Sequence, residues 1–195
     1  MKNISVLVSG GGTNLQAIID NVENGYIDAR IVQVISSKED AYALERAKKH
    51  GIKGIYIGRK NFPDDAARTD AIIKALDDEA TDLVILAGYM SVLDGKLINA
   101  YRDRIINIHP SLIPKYCGKG FYGHYVHEAV LAGGEKESGA TVHFVDEGVD
   151  TGKIILQEKV PVFFDDTPDT LAARVLEVEH EILPRAARMF CKGEL

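Results

Sequence analysis

Apolar positions along the chain follow two rhythms, and their alternation predicts most of the fold. Ile4 to Ser9 is a short run rich in β-branched residues that stops at Gly10-Gly11-Gly12. Such a run reads as a central parallel strand, buried on both faces. Leu15, Ile18, Ile19 and Val22 then recur at helical spacing, and Thr13-x-x-Gln16 has the form of a capping box that starts the helix at Thr13. The same alternation repeats. Ile31 to Ile35 is a second strand, after which Ser36-x-x-Glu39 caps a helix reaching about His50. Gly54 to Gly58 is a third strand, and Asp64 or Asp65 caps a helix carrying Ile72, Ile73 and Leu76. Asp82 to Ala87 is a buried fourth strand, followed by Gly88-Tyr89-Met90 and a short helix to about Ala100. Strands alternating with helices at this spacing predict a parallel sheet with right-handed crossovers, so residues 1–100 read as a Rossmann-like half.

The pattern changes at Ile105 to His109, where alternation puts Asn107 and His109 on one face and Ile106 and Ile108 on the other. Two polar side chains thus stand where a buried strand would carry apolar ones. Pro110 cannot continue a central strand, so His109 falls at the strand's C-terminal end, where open α/β sheets place their ligands. The segment Pro110 to Gly134 follows, with two prolines, five glycines and the aromatics Tyr116, Phe121, Tyr122 and Tyr125. A helix is predicted only around His127 to Leu131; a long glycine-rich segment in a compact domain is usually functional or mobile. Gly139 to Val145 is again a strand, with Thr141 and His143 on one face. An acidic loop, Asp146 to Gly152, leads to a strand over Ile154 to Val162. The closing helix takes Thr167 as N-cap and Pro168 in its first turn. Its inward face holds Leu171, Val175, Leu176, Val178, Ile182 and Leu183, and Glu179 falls in that apolar sector, where a carboxylate is costly without a hydrogen-bond partner. Pro184 should end or kink this helix.

With 195 residues and 46% hydrophobic content, the chain is expected to form one domain, residues 1–195, of α/β class. The predicted architecture is a Rossmann-like, mostly parallel twisted sheet with helices on both faces. A formal net charge of -6, with no basic stripe, argues against a nucleic-acid surface. No run approaches the roughly 18 apolar residues of a membrane span, and the N-terminus runs into a strand rather than a signal peptide. A cytoplasmic protein with no membrane partner is expected. Cys117 and Cys191 form no C-x-x-C and read as two reduced thiols. Five histidines lie between His109 and His180, yet none shows compact ligand spacing, so no metal site is predicted.

Three features carry candidate chemistry. The strand, glycine turn and helix start over Ile4 to Gln16 make an anion cradle, in which close backbone approach and free N–H groups face a ligand. The spacing is neither a Walker A loop nor G-x-G-x-x-G, because Leu15 stands at the last glycine's place. A phosphate monoester therefore fits better than a dinucleotide, and a tight turn without a ligand would use the same glycines. Asn107 and His109 can both donate to an oxygen that becomes negative during acyl transfer. Asp150, in a loop expected beside the same sheet edge, would raise the imidazole above about 6.5 and relay a proton. A strand-end Asn and His that only satisfy backbone groups is the plainer alternative.

The sequence resembles the phosphoribosylglycinamide formyltransferase family, the folate-dependent transformylases of purine synthesis, over almost its whole length. The resemblance rests on Ser9 to Gln16, Leu86 to Met90 and the run Asn107-Ile108-His109-Pro110-Ser111-Leu112-Ile113-Pro114. It continues through Thr141 to Val145, Val149 to Gly152 and Glu179-His180. It implies Asn107, His109 and Asp150 as a catalytic trio, with 10-formyltetrahydrofolate as formyl donor and glycinamide ribonucleotide as acceptor. Gly12, Thr13 and Asn14 would hold the phosphate and Glu179 the ribose. Met90, Leu93 and the loop bearing Val145, Asp146, Val149 and Asp150 would form the folate pocket, with Thr141 and His143 in support. Residues 1–100 would be the ribonucleotide half and 101–195 the catalytic and folate half. The sequence departs from many members in the longer segment Tyr116 to His124, in Cys117 where proline is frequent, and in Leu176 where some carry a basic phosphate contact. It leaves open the role of His124 against His127 and the choice between monomer and homodimer.

Overall fold

The computed structural model describes residues 1–195. In chain order the elements are β1 (Lys2–Val8), α1 (Thr13–Glu23), β2 (Ala29–Ser36), α2 (Tyr42–Lys49), β3 (Lys53–Tyr56), α3 (Asp65–Asp78) and β4 (Leu83–Leu86). They continue as α4 (Gly95–Ala100), β5 (Ile105–His109), α5 (His124–Ala132), β6 (Glu137–Phe144), β7 (Ile154–Pro161) and α6 (Pro168–Cys191). All seven strands join one sheet in the order β3-β2-β1-β4-β5-β6-β7. The five strands from β3 to β5 are parallel, β6 pairs antiparallel with β5, and β7 pairs antiparallel with β6. The strand order reverses between β1 and β4, so the crevice at their C-terminal ends is the ligand position of this architecture.

Sheet side chains alternate between two apolar clusters. Ile4, Val6, Ile85, Ile106 and Val142 face one side, covered by Leu15, Ile18 and Ile19 of α1, Val126 of α5, and Leu171, Val175 and Leu183 of α6. Leu7, Ile35, Val84 and Ile105 face the other, covered by Ile72 and Leu76 of α3 and Leu97 of α4. Helices thus cover both faces of a mostly parallel sheet, and no helix is long and apolar enough to cross a membrane. Asn107 and His109 share the parity of Ile105 and point to the α3 and α4 side.

Two local expectations do not hold. Neither predicted capping box forms. Gly12, at φ 73, is the N-cap of α1 and no side chain caps the helix, because this left-handed turn replaces the extended N-cap backbone that the box needs. Gln16 binds Asp20, His50 and Arg46 instead. Ser36 stays paired in β2, its hydroxyl donates to the Lys38 carbonyl, and α2 starts only at Tyr42. Pro184 does not end α6, which runs through it to Cys191. Leu183, Ala186 and Ala187 are fully buried beside it, and that packing outweighs the one backbone hydrogen bond the proline forfeits.

Candidate active site

The carboxylate of Asp150 sits between the two polar residues of β5. Its Oδ2 lies 3.5 Å from His109 Nδ1 and accepts from the Gly118 N–H at 3.0 Å. Its Oδ1 accepts from Asn107 Nδ2 at 3.4 Å and lies 3.5 Å from His143 Nε2. The approach is indirect. Because β6 runs antiparallel to β5, its C-terminal end, Phe144, pairs with Ile106, at the far end of β5 from His109. The acidic loop must therefore double back along the sheet face, and Asp150 adopts a left-handed φ of 57° in doing so. Gly152 lies flush against the Phe144 carbonyl in the same loop, at a distance that admits no side chain.

Hydrogen-bond partners set the tautomers. The Tyr116 carbonyl can only accept, so the contact of 2.9 Å places a proton on His109 Nε2. The Phe144 carbonyl, 2.8 Å from His143 Nδ1, likewise takes that nitrogen's proton, and His143 Nε2 faces both Asn107 Nδ2 at 3.1 Å and Asp150 Oδ1 at 3.5 Å. Burial pushes the His109 imidazole below its ordinary value, outweighing the upward pull of Asp150 and the Tyr116 carbonyl, with His143 adding to the depression. The upward shift expected from the carboxylate alone is thus reversed, because desolvation penalises the imidazolium more than Asp150 stabilises it. Burial acts to raise the Asp150 carboxyl too, but the His143 contact, the His109 charge and the Gly118 N–H together hold it below the usual carboxylate range. Thr141, paired with His109 across the strands, donates to the Ser111 carbonyl at 2.7 Å and accepts from Ile113 N–H and Gln157. It anchors the turn after β5, and its hydroxyl makes no hydrogen bond to the side chains of the trio.

At the end of β1, Gly12 turns so that α2 packs directly on it, and a Cβ there would meet Ala43 Cβ at 2.7 Å. Thr13 is exposed at the first turn of α1. Asn14 faces inward and donates to Glu179 Oε2 at 2.6 Å, while its own Oδ1 is buried without a partner. Burial raises the Glu179 carboxyl to about 7, with the Asn14 bond acting in the opposite direction. The two ends of the chain thus build one polar site beside the glycine turn. Met90 and Val149 are half exposed, and Leu93 and Val145 pack on the α3 and α4 cluster, so an apolar rim borders β4 and the acidic loop. Asp146 accepts from Gly148 N–H and Thr151 within that loop. The Met90 N–H donates to Ser9 Oγ at 2.8 Å, tying this rim to the start of the glycine turn. His127 is buried on α5 and pushed down to about 4, mainly by burial, whereas His124 is exposed 3.3 Å from Glu128.

A family model described as formyl transferase matches residues 2–187. Over its whole length the chain is 46% identical to phosphoribosylglycinamide formyltransferase of Haemophilus influenzae, of which it covers 90%. The chain belongs to the phosphoribosylglycinamide formyltransferase family. Formyl transfer in purine biosynthesis is the chemistry of that family. The chain is also 44% identical, over 98% of its length, to the trifunctional purine biosynthetic protein adenosine-3 of Drosophila melanogaster, of which it spans 14%. The crystal structure of glycinamide ribonucleotide transformylase 1 from Symbiobacterium toebii matches with a TM-score of 0.94 at 44% identity, over 99% of this chain and 89% of that one.

In this formyltransferase, sequence reasoning missed the groups that hold the trio and the glycine turn from outside. The Tyr116 carbonyl and the Gly118 N–H belong to a glycine-rich segment whose backbone direction no local pattern encodes. Arg46, which donates from Nε to the Gly11 carbonyl at 2.7 Å, lies on the polar side of an ordinary amphipathic helix. Its only signal was its place in the helix that follows the second strand.

Proposed function

We propose that the protein transfers the formyl group of 10-formyltetrahydrofolate to the amine of glycinamide ribonucleotide by direct attack of the amine. Asn107, His109 and Asp150 are the catalytic residues in this reading. The observation that carries it is one carboxylate within 3.5 Å of both the Asn107 amide and the His109 ring at the end of β5. As the amine attacks, the formyl oxygen becomes negative. The Asn107 N–H₂ and the His109 Nε2–H donate to it, the latter in place of the Tyr116 carbonyl. An anionic oxygen offsets the desolvation that keeps His109 neutral in the free protein, so the ring takes a proton from solvent onto Nδ1, beside Asp150, as the charge develops and returns it to solvent when the oxyanion collapses. Asp150 also moves the proton from the attacking nitrogen toward the departing folate nitrogen. His143 and Thr141 support, the first by aligning Asn107 and the second by anchoring the turn after β5.

The ribonucleotide phosphate is assigned to the backbone N–H groups of Gly12, Thr13 and Asn14, and the ribose hydroxyls to Glu179. The folate ring is assigned to Met90, Leu93, Val145, Asp146, Val149 and Asp150; the exposed apolar surface of Met90 and Val149 suits a flat heteroaromatic ring. The Asn14–Glu179 bond and the place of Met90 before residue 100 favour one formyltransferase domain over 1–195, with both substrate sites built from both halves. An absorbance assay of folate deformylation with and without glycinamide ribonucleotide tests the reading. Product formation that requires the amine supports it, and formate release independent of the amine would sink it.

A further inference from the structure

Three consecutive carbonyls around the glycine turn each have one partner. The Ala43 N–H donates to the Gly10 carbonyl at 3.0 Å, Arg46 Nε to the Gly11 carbonyl at 2.7 Å, and the Gln16 N–H to the Gly12 carbonyl at 2.9 Å. In a trans peptide the C=O and the following N–H point in opposite directions. Fixing these carbonyls therefore aims the N–H groups of Gly11, Gly12 and Thr13 away from α2 and away from the body of α1. None of those three donates to another group of the protein. Two of the partners are backbone N–H groups whose place is set by helices packed on the core. The third is a side chain.

We infer that Arg46 is a positioning residue for substrate phosphate: it pins the Gly11–Gly12 peptide so that the Gly12 N–H faces the anion. This inference rests on the assignment of the phosphate to the glycine turn and names what holds that turn in its binding form. The guanidinium is itself braced. Its Nη1 donates to Gln16 Oε1 at 3.1 Å, and its Cζ lies 5.1 Å from the centre of the Tyr42 ring. Gln16 is in turn held by Asp20 at 2.8 Å and His50 at 3.1 Å. Without the Arg46 bond, a peptide flanked by glycines on both sides is free to rotate its dipole, and a rotated peptide would present a carbonyl oxygen to the phosphate.

The test compares Arg46→Met, which keeps the aliphatic stem and removes every donor, with Arg46→Gln, whose Nε2 stands at the same reach as the arginine Nε. Each is assayed with glycinamide ribonucleotide and with its 5′-dephosphorylated riboside, alongside a thermal melt. Arg46→Met should raise the KM for the ribonucleotide about tenfold or more, the scale of a charge-assisted hydrogen bond, with kcat and the folate KM changed less than about threefold. Its preference for the phosphorylated substrate should fall by the same factor, and Arg46→Gln should retain most of that preference. Gln16→Ala, which removes only the brace, should shift the same preference in the same direction by less. The inference is overturned if Arg46→Met keeps the phosphate preference, or, where that variant does not fold, if Gln16→Ala does. It is equally overturned if Arg46→Gln is as defective as Arg46→Met, since charge rather than peptide orientation would then be the contribution. A wild-type protein with no preference for the phosphorylated substrate would instead remove the phosphate assignment, and the role of Arg46 with it.

Discussion

The Asn14 amide donates to Glu179 across 2.6 Å, joining the first turn of α1 to the middle of α6 over a separation of 165 positions. The carboxyl it meets is buried and raised from 4.5 to about 7. The unfolded chain gives up this proton near the ordinary value and the native chain only near pH 7, so the native state binds more protons in between. The stability contributed by the neutral carboxyl is full below about pH 4.5 and is lost as the pH rises to about 7. Glu179→Gln should remove this slope. Urea melts across that window should show the variant gaining on the wild type by roughly 3 kcal/mol at most as pH rises. A pH-independent difference would contradict the shift.

Asn107→Ala and Asp150→Asn should each lower kcat by at least about a hundredfold, the scale of one oxyanion donor or one acid–base partner. Both groups sit at the ligand edge and not in the apolar clusters, so both variants should stay folded at the assay temperature, with Asp150→Asn melting somewhat lower because the native site holds that carboxyl below its ordinary range. Near-normal turnover in both variants would remove the proposed mechanism.

His109 should titrate below its ordinary value in the free protein, since burial is the largest influence on it. Asp150 opposes that depression, so Asp150→Asn should move the titration lower still. An NMR titration of the imidazole carbon-bound protons measures both. An upward move in the variant would show that burial and charge had been weighed wrongly.

Gly12→Ala should be costly and Gly10→Ala mild. A Cβ at Gly12 meets Ala43 Cβ at 2.7 Å and Cα at 2.9 Å on a backbone with φ +73, whereas a Cβ at Gly10 meets nothing within 4 Å. The first variant should lose about 1–3 kcal/mol and the second less than about 1 kcal/mol. Chemical denaturation of both decides it; equal losses would mean that α2 does not press on the turn.

Element positions were legible because the two periods are local: Ile105 to His109 shows its alternation within five residues, and α6 its inward stripe within two turns. The oddities were legible for the same reason. Asn107 and His109 on a buried strand, and Glu179 among apolar neighbours, each break a pattern that the surrounding residues establish. What failed locally was capping, where Thr13 and Gln16 satisfied the spacing but the glycine turn took a backbone that the motif cannot use.

By itself, then, the sequence determined where strands and helices form, which face of each is apolar, and that polar groups stand at the end of β5 and inside α6, because these follow from side-chain chemistry repeated along a few turns. Only the tertiary structure decided what those groups do to one another. Asp150 reaches His109 because antiparallel β6 sends its loop back along the sheet. His109 is depressed rather than raised because desolvation depends on everything packed around it. Arg46 and the Tyr116 carbonyl act through backbone atoms that residue identity does not distinguish. Those are sums over distant neighbours, and no window of sequence contains them.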